Sequence, residues 1–221
     1  MLDFQKIIDK ISEAFSILDF SYIISGSLTF LLILFDMHMH HEDFMMENMT
    51  LTVVCGIFLS YICGLISWII GKSIRRILFL LRGSSLEADF REIYEQTVKS
   101  IGDTNHSQLS PIVNYSFAYE YMWICLGTIP ESHDRVNYIH RFWVMQAVYE
   151  GLICSFLVAF GVLIDIWIMQ KEEFIPCPIF LFFIVLILII VYLCIEEARR
   201  CARVQISEVI LSYYVYVLKK N

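Results

Sequence analysis

The chain has 221 residues, 58% of them hydrophobic, with a formal net charge of −7 and a mean hydropathy of +0.65. An apolar share above the roughly 45–50% of soluble domains points to a chain that faces lipid, and the acidic balance argues against a nucleic-acid surface. The 7 cysteines form no CxxC pair, and only Cys177 falls near the outer side, so they read as small apolar fillers and not as a disulfide framework.

Residues 2–18 place Phe4, Ile7, Ile8, Ile11, Phe15 and Leu18 at helical spacing, with Asp3, Lys6, Asp9, Lys10 and Glu13 opposite them. Such an amphipathic helix, over 1–19, either lies in the cytoplasmic interface or docks on the cytoplasmic region of its own or a neighbouring subunit. The run from Phe20 to Phe35 is uncharged and reads as a first span. Phe35-Asp36-Met37-His38 offers no small-x-small cleavage site after it, so the expectation is a retained anchor and a mature chain that keeps Met1.

The loop Asp36 to Asn48 contains His38-Met39-His40-His41-Glu42-Asp43 and then Met45 and Met46. Imidazole, thioether and carboxylate are ligands of zinc and copper, which makes His38, His40, His41 and Glu42 candidates. Three histidines within four residues do not converge on one ion without a special turn, however, and the loop is expected to be a polar interfacial connection without metal or cofactor. Proton sensing by these histidines is a further alternative.

Met49 to Gly71 is uncharged and long enough for a helix to cross the roughly 30 Å hydrocarbon core. Along it Gly56, Ser60, Gly64, Ser67 and Gly71 recur every three or four residues, a small-xxx-small stripe for close helix packing. The partner is either another span of the same chain or a second copy, and self-association is the expectation. Lys72, Arg75, Arg76 and Arg82 follow, placed to reach lipid phosphates. Gly83-Ser84-Ser85 breaks the pattern, Leu86 to Ile101 resumes as a polar helix, and Asp103 to Pro111 is a loop.

Ile112 to Ile129 is crowded with Tyr115, Phe117, Tyr119, Tyr121 and Trp123, carries Glu120, and ends at Pro130. As a fifth span it would put Arg199, Arg200 and Arg203 outside, against the rule that cations gather on cytoplasmic flanks, so an intracellular helix is expected. Arg135 to Glu150 then runs into a third span, Gly151 to Ile164. Phe174 to Ile195 is a fourth, uncharged throughout, and continues through Glu196-Glu197-Ala198-Arg199-Arg200-Cys201-Ala202-Arg203 into an apolar end, Val209 to Leu218. With four spans, only Lys171 of the 16 Lys and Arg falls outside, so both termini are expected in the cytoplasm.

The fold class expected is an all-α integral membrane protein, four transmembrane helices with helical cytoplasmic extensions, oligomeric. Its parts are an amphipathic helix (1–19), a first hairpin (20–71), a cytoplasmic helical module (72–142), a second hairpin (143–195) and a cytoplasmic C-terminal helix and tail (196–221). Asp165 and Glu150 flank the third span about 22 Å apart on one helix. They either mark two mouths of a path or sit in the headgroup regions, and the second is expected. Lys72, Arg75, Arg76, Arg199, Arg200 and Arg203 are the expected lipid-phosphate contacts.

There is no GxSxG, HExxH, P-loop or Gly-rich dinucleotide motif. His133 and His140, near Glu131 and Asp134, lack an accompanying nucleophile or metal set, so no enzyme activity is expected. The layout of two spans, a basic exit (Lys72, Arg75, Arg76), a cytoplasmic stretch, Arg135-Val136-Asn137-Tyr138-Ile139-His140-Arg141-Phe142 entering a third span, and a fourth followed by Arg199-Arg200-Cys201-Ala202-Arg203, resembles the four-span membrane subunits of bacterial anti-phage defence systems of the Kiwa type. The resemblance lies in layout and implies an inner-membrane homo-oligomer that passes a membrane event to a soluble partner. It assigns no site residue.

Between Gly83 and Phe142, eight Asp and Glu face four Lys and Arg, a net −4 that disfavours nucleic acid. The Tyr and Trp surplus there suits a protein interface. A sensor or scaffold that binds a cytosolic effector is therefore the leading expectation, with the lipid bilayer and a soluble protein as partners. An oligomeric pore or ion channel is the alternative. Its lining would need polar rings, whereas the second span offers only Thr, Ser and Tyr hydroxyls and the fourth almost none.

Overall fold

The computed structural model describes residues 17–40, 49–81, 91–96, 115–170 and 176–218, and among these no strand occurs. Helices α1 (Ile17–Met39), α2 (Met49–Leu81), α3 (91–96), α4 (Tyr115–Thr128), α5 (His133–Gln170) and α6 (Cys177–Tyr213) follow in order, with a 3₁₀ turn at Pro130–Ser132 and a π turn at Tyr214–Leu218. Four helical stretches, Ser21–Met39, Leu51–Leu81, Pro130–Met169 and Cys177–Val217, are long and apolar enough to cross a bilayer. The 14 residues of α4 extend only about 21 Å, too short to cross. The expected N-terminal amphipathic helix, His41, Glu42, the breaks near Gly83 and Asp103, and Lys171 lie outside the described residues.

The chain divides into two compact units. The first comprises Met1–Arg75 and Ala147–Ala198. Its outward side chains are apolar, among them Ile57, Phe58, Ile69, Leu181, Phe182 and Val185, while its buried polar set includes Ser21, Ser25, Thr29, Ser60, Ser67, Ser155 and Glu150. Polar inside and apolar outside is the arrangement of a bundle in lipid, where burying hydrocarbon yields no driving force and helices associate through close packing and hydrogen bonds.

Glycines bring the backbones of this unit together. A Cβ on Gly26 of α1 would overlap the Ser60 carbonyl oxygen of α2, and one on Gly64 would overlap the Tyr22 carbonyl oxygen. A Cβ on Gly71 would strike the Glu150 carbonyl oxygen of α5, and one on Gly151 would strike the Ser25 side chain. Each pair among α1, α2 and α5 is therefore joined at a point where only glycine fits. Gly56 differs, since its added Cβ would come only within 3.9 Å of Phe30 Cε1. The small-residue stripe thus serves packing within the chain from Ser60 to Gly71. On the α5–α6 side, Trp167 stacks on Phe180 with ring centroids 4.8 Å apart.

The second unit comprises Arg76–Gln146 and Arg199–Asn221. Ile93 and Tyr94 of α3, Met122 and Leu126 of α4, Ile139 of α5, and Ile206, Val209 and Ile210 of α6 form its core, with Tyr119, Trp123 and Tyr213 packed against it. Ser132, fully buried, anchors the turn after α4 by donating its hydroxyl toward the Leu126 and Ile129 carbonyls. Gln205 donates to the Tyr119 hydroxyl at 2.9 Å. Burial pushes the Tyr119 phenol up to about 12, against the lowering effect of that bond. The crowded aromatics of α4 are thus partly core, as Tyr119 and Trp123 show, and partly surface, with Tyr121 and Ile124 exposed.

Candidate functional site: a polar spine in an apolar bundle

Ser21, Ser25 and Thr29 stand four residues apart on α1, so they share one face. Thr29 Oγ1 lies 3.0 Å from Ser67 Oγ of α2 and 2.8 Å from Ser155 Oγ of α5. The Ser155 hydroxyl also reaches the carbonyl oxygens of Ser25 at 3.0 Å and Gly151 at 3.1 Å. Three helices thus share one knot of hydroxyls, all buried. Interhelical bonds of this kind in membranes contribute roughly 0.6–2 kcal/mol each.

Beside it lies a buried ion pair. Arg75 of α2 donates from Nε to Glu150 Oε1 at 2.9 Å, and its Nη2 stands 2.7 Å from the same oxygen. Arg75 is 5% exposed and Glu150 1%. Gly71 and Arg75 are one turn apart, and Gly71 is seated on the Glu150 backbone, so the close approach of α2 to α5 delivers the guanidinium to the carboxylate. Breaking a buried pair by removing one partner costs roughly 3–5 kcal/mol, whereas replacing both by apolar groups is often neutral. Ionisable side chains inside an apolar bundle are functional candidates for that reason.

This placement differs from one sequence expectation. Arg75, grouped with Lys72 and Arg76 as a lipid-phosphate contact, turns inward because Gly71 and Ser67 set the face it shares. Glu150, at the end of the third apolar run, is buried in the bundle against Arg75 of α2. The missed signal was the spacing itself, since Gly64, Ser67, Gly71 and Arg75 continue one stripe at intervals of three and four. Of the other expected phosphate contacts, Arg76 and Arg200 are exposed, Lys72 lies over the Trp68 ring at 4.7 Å, Arg199 over Phe79 at 5.1 Å, and Arg203 is 3.6 Å from Glu92.

At the other end of α1, His38 is exposed, whereas His40 Nε2 is 2.8 Å from Asp165 Oδ2 of α5. His140, in the second unit, packs its ring against Trp123 and Trp143 at centroid distances of 5.3 and 5.9 Å, and His133 is exposed. No protein-family model, curated protein or solved structure matches this chain.

Proposed function

We propose that the protein is a non-enzymatic membrane sensor or scaffold, homo-oligomeric, that couples an event in a bacterial inner membrane to a soluble cytoplasmic effector, in the manner of anti-phage defence. The buried Arg75–Glu150 pair carries the reading. It is costly to hold in an apolar bundle, it joins α2 to α5, and both helices also supply residues to the second unit, which has its own core. A perturbation of the bilayer that shifts α2 against α5 strains the pair, and the helices themselves connect that strain to the second unit.

The effector is a protein and not nucleic acid, supported by the acidic balance of Gly83 to Phe142 and by the exposed Tyr121, Ile124, Tyr138 and Trp143. The test is affinity purification of the full chain from native membranes in mild detergent, beside a variant deleted for Leu86 to Ile129. A cytosolic protein that co-purifies with the parent and not with the inserted deletion variant is the expected result. A parent that recovers no partner, and that makes liposomes leak small ions, would replace this reading with an oligomeric pore.

A further inference from the structure

We propose that Asp36, His40 and Asp165 bind a divalent transition-metal ion, zinc foremost, and that the ion bridges α1 to α5. Asp36 and His40 are four residues apart, and the His40 amide is held by the carbonyls of Asp36 and Met37, so the last turn of α1 continues to His40 and aims both side chains the same way. Asp165 comes from α5. One ligand atom from each residue lies within 4.8 Å of the other two. Tetrahedral nitrogen and oxygen ligands at about 2.0–2.2 Å from zinc stand about 3.3–3.6 Å apart, so the three side chains close on the ion by rotamer adjustments on the order of 1 Å.

Two further features favour a cation here. Asp36 Oδ1 is buried and has no hydrogen-bond partner, an acceptor whose desolvation is uncompensated until a positive charge arrives. His40 and Asp165, by contrast, are 35% and 44% exposed, which gives the ion a way in. One imidazole with two carboxylates selects zinc and its neighbours over copper(I), which takes thiolate and thioether, and over calcium, which takes oxygen alone. Three protein ligands leave a fourth position for water. The sequence led to the expectation of a loop without metal, and this ligand set also differs from the candidates it offered. His40 is shared, but its companions are the aspartates on the flanking helices, and not His38.

The experiment uses the full chain, purified without a histidine tag, stripped with chelator and titrated with zinc against a chromophoric competitor, with bound metal counted by mass spectrometry. One zinc per chain is expected, undisturbed by millimolar calcium or magnesium. Asp36→Asn, His40→Ala and Asp165→Asn should each weaken binding roughly tenfold or more, and His38→Ala should not. Cobalt loading supplies a second readout, since its visible bands should be lost in Asp165→Asn while the helical circular dichroism of that near-isosteric variant stays at the parent's value. Absence of stoichiometric zinc, equal affinity in all three ligand variants, or loss of zinc in His38→Ala alone would overturn the assignment.

Discussion

Replacing Glu150 by Ala should destabilise the bundle far more than replacing Arg75 and Glu150 together by Met and Leu. The guanidinium is 5% exposed and loses contacts of 2.7 and 2.9 Å to one oxygen, so the single change takes this carboxylate from a buried charge, a loss of roughly 3–5 kcal/mol. The double change removes both desolvation costs, and its effect should lie near zero. For a chain of this size 1 kcal/mol corresponds to roughly 2–4 °C, which puts the single variant roughly 6–20 °C below the parent. Cys154 and Cys194 are buried thiols outside any disulfide, so a thiol-reactive fluorogenic dye reports unfolding in detergent through their exposure on heating. The double-mutant cycle then yields the coupling directly. A double variant as unstable as Glu150→Ala would refute the reasoning, because the loss would then come from packing and not from breaking the pair.

Gly64→Leu should cost more than the roughly 1–3 kcal/mol of ordinary overpacking, since its Cβ meets backbone and not a movable side chain, whereas Gly56→Leu should leave the melting temperature nearly unchanged. The same dye melt compares them, and equal losses would show that the crossing of α1 and α2 is not fixed there. Reporter fusions after Asn221 and within Glu42 to Asn48 should report opposite sides of the membrane, the first cytoplasmic, as the distribution of Lys and Arg requires. Matching sides would defeat the four-span topology.

The uncharged runs determined the four apolar helices, because bilayer thickness sets a length that composition alone meets or fails. They also determined that α5 and α6 extend beyond their apolar segments, since no Pro or Gly interrupts Arg135 to Glu150 or Glu196 to Arg203. The small-residue stripe on α2 was legible for the same local reason, namely that helical period fixes which residues share a face.

What faces that stripe was not legible. Gly64 meets Tyr22, and Gly71 meets Glu150, across distances in sequence that no periodicity encodes. Arg75 looked like its exposed neighbour Arg76, and only the approach of α5 turned it into a buried partner of Glu150. Likewise the pairing of Asp36 with His40 follows from a four-residue spacing, but Asp165 joins them only because α1 packs on α5. A sequence fixes faces through local geometry, and tertiary packing alone decides which faces meet, so every charge whose partner lies on another helix waited for the fold.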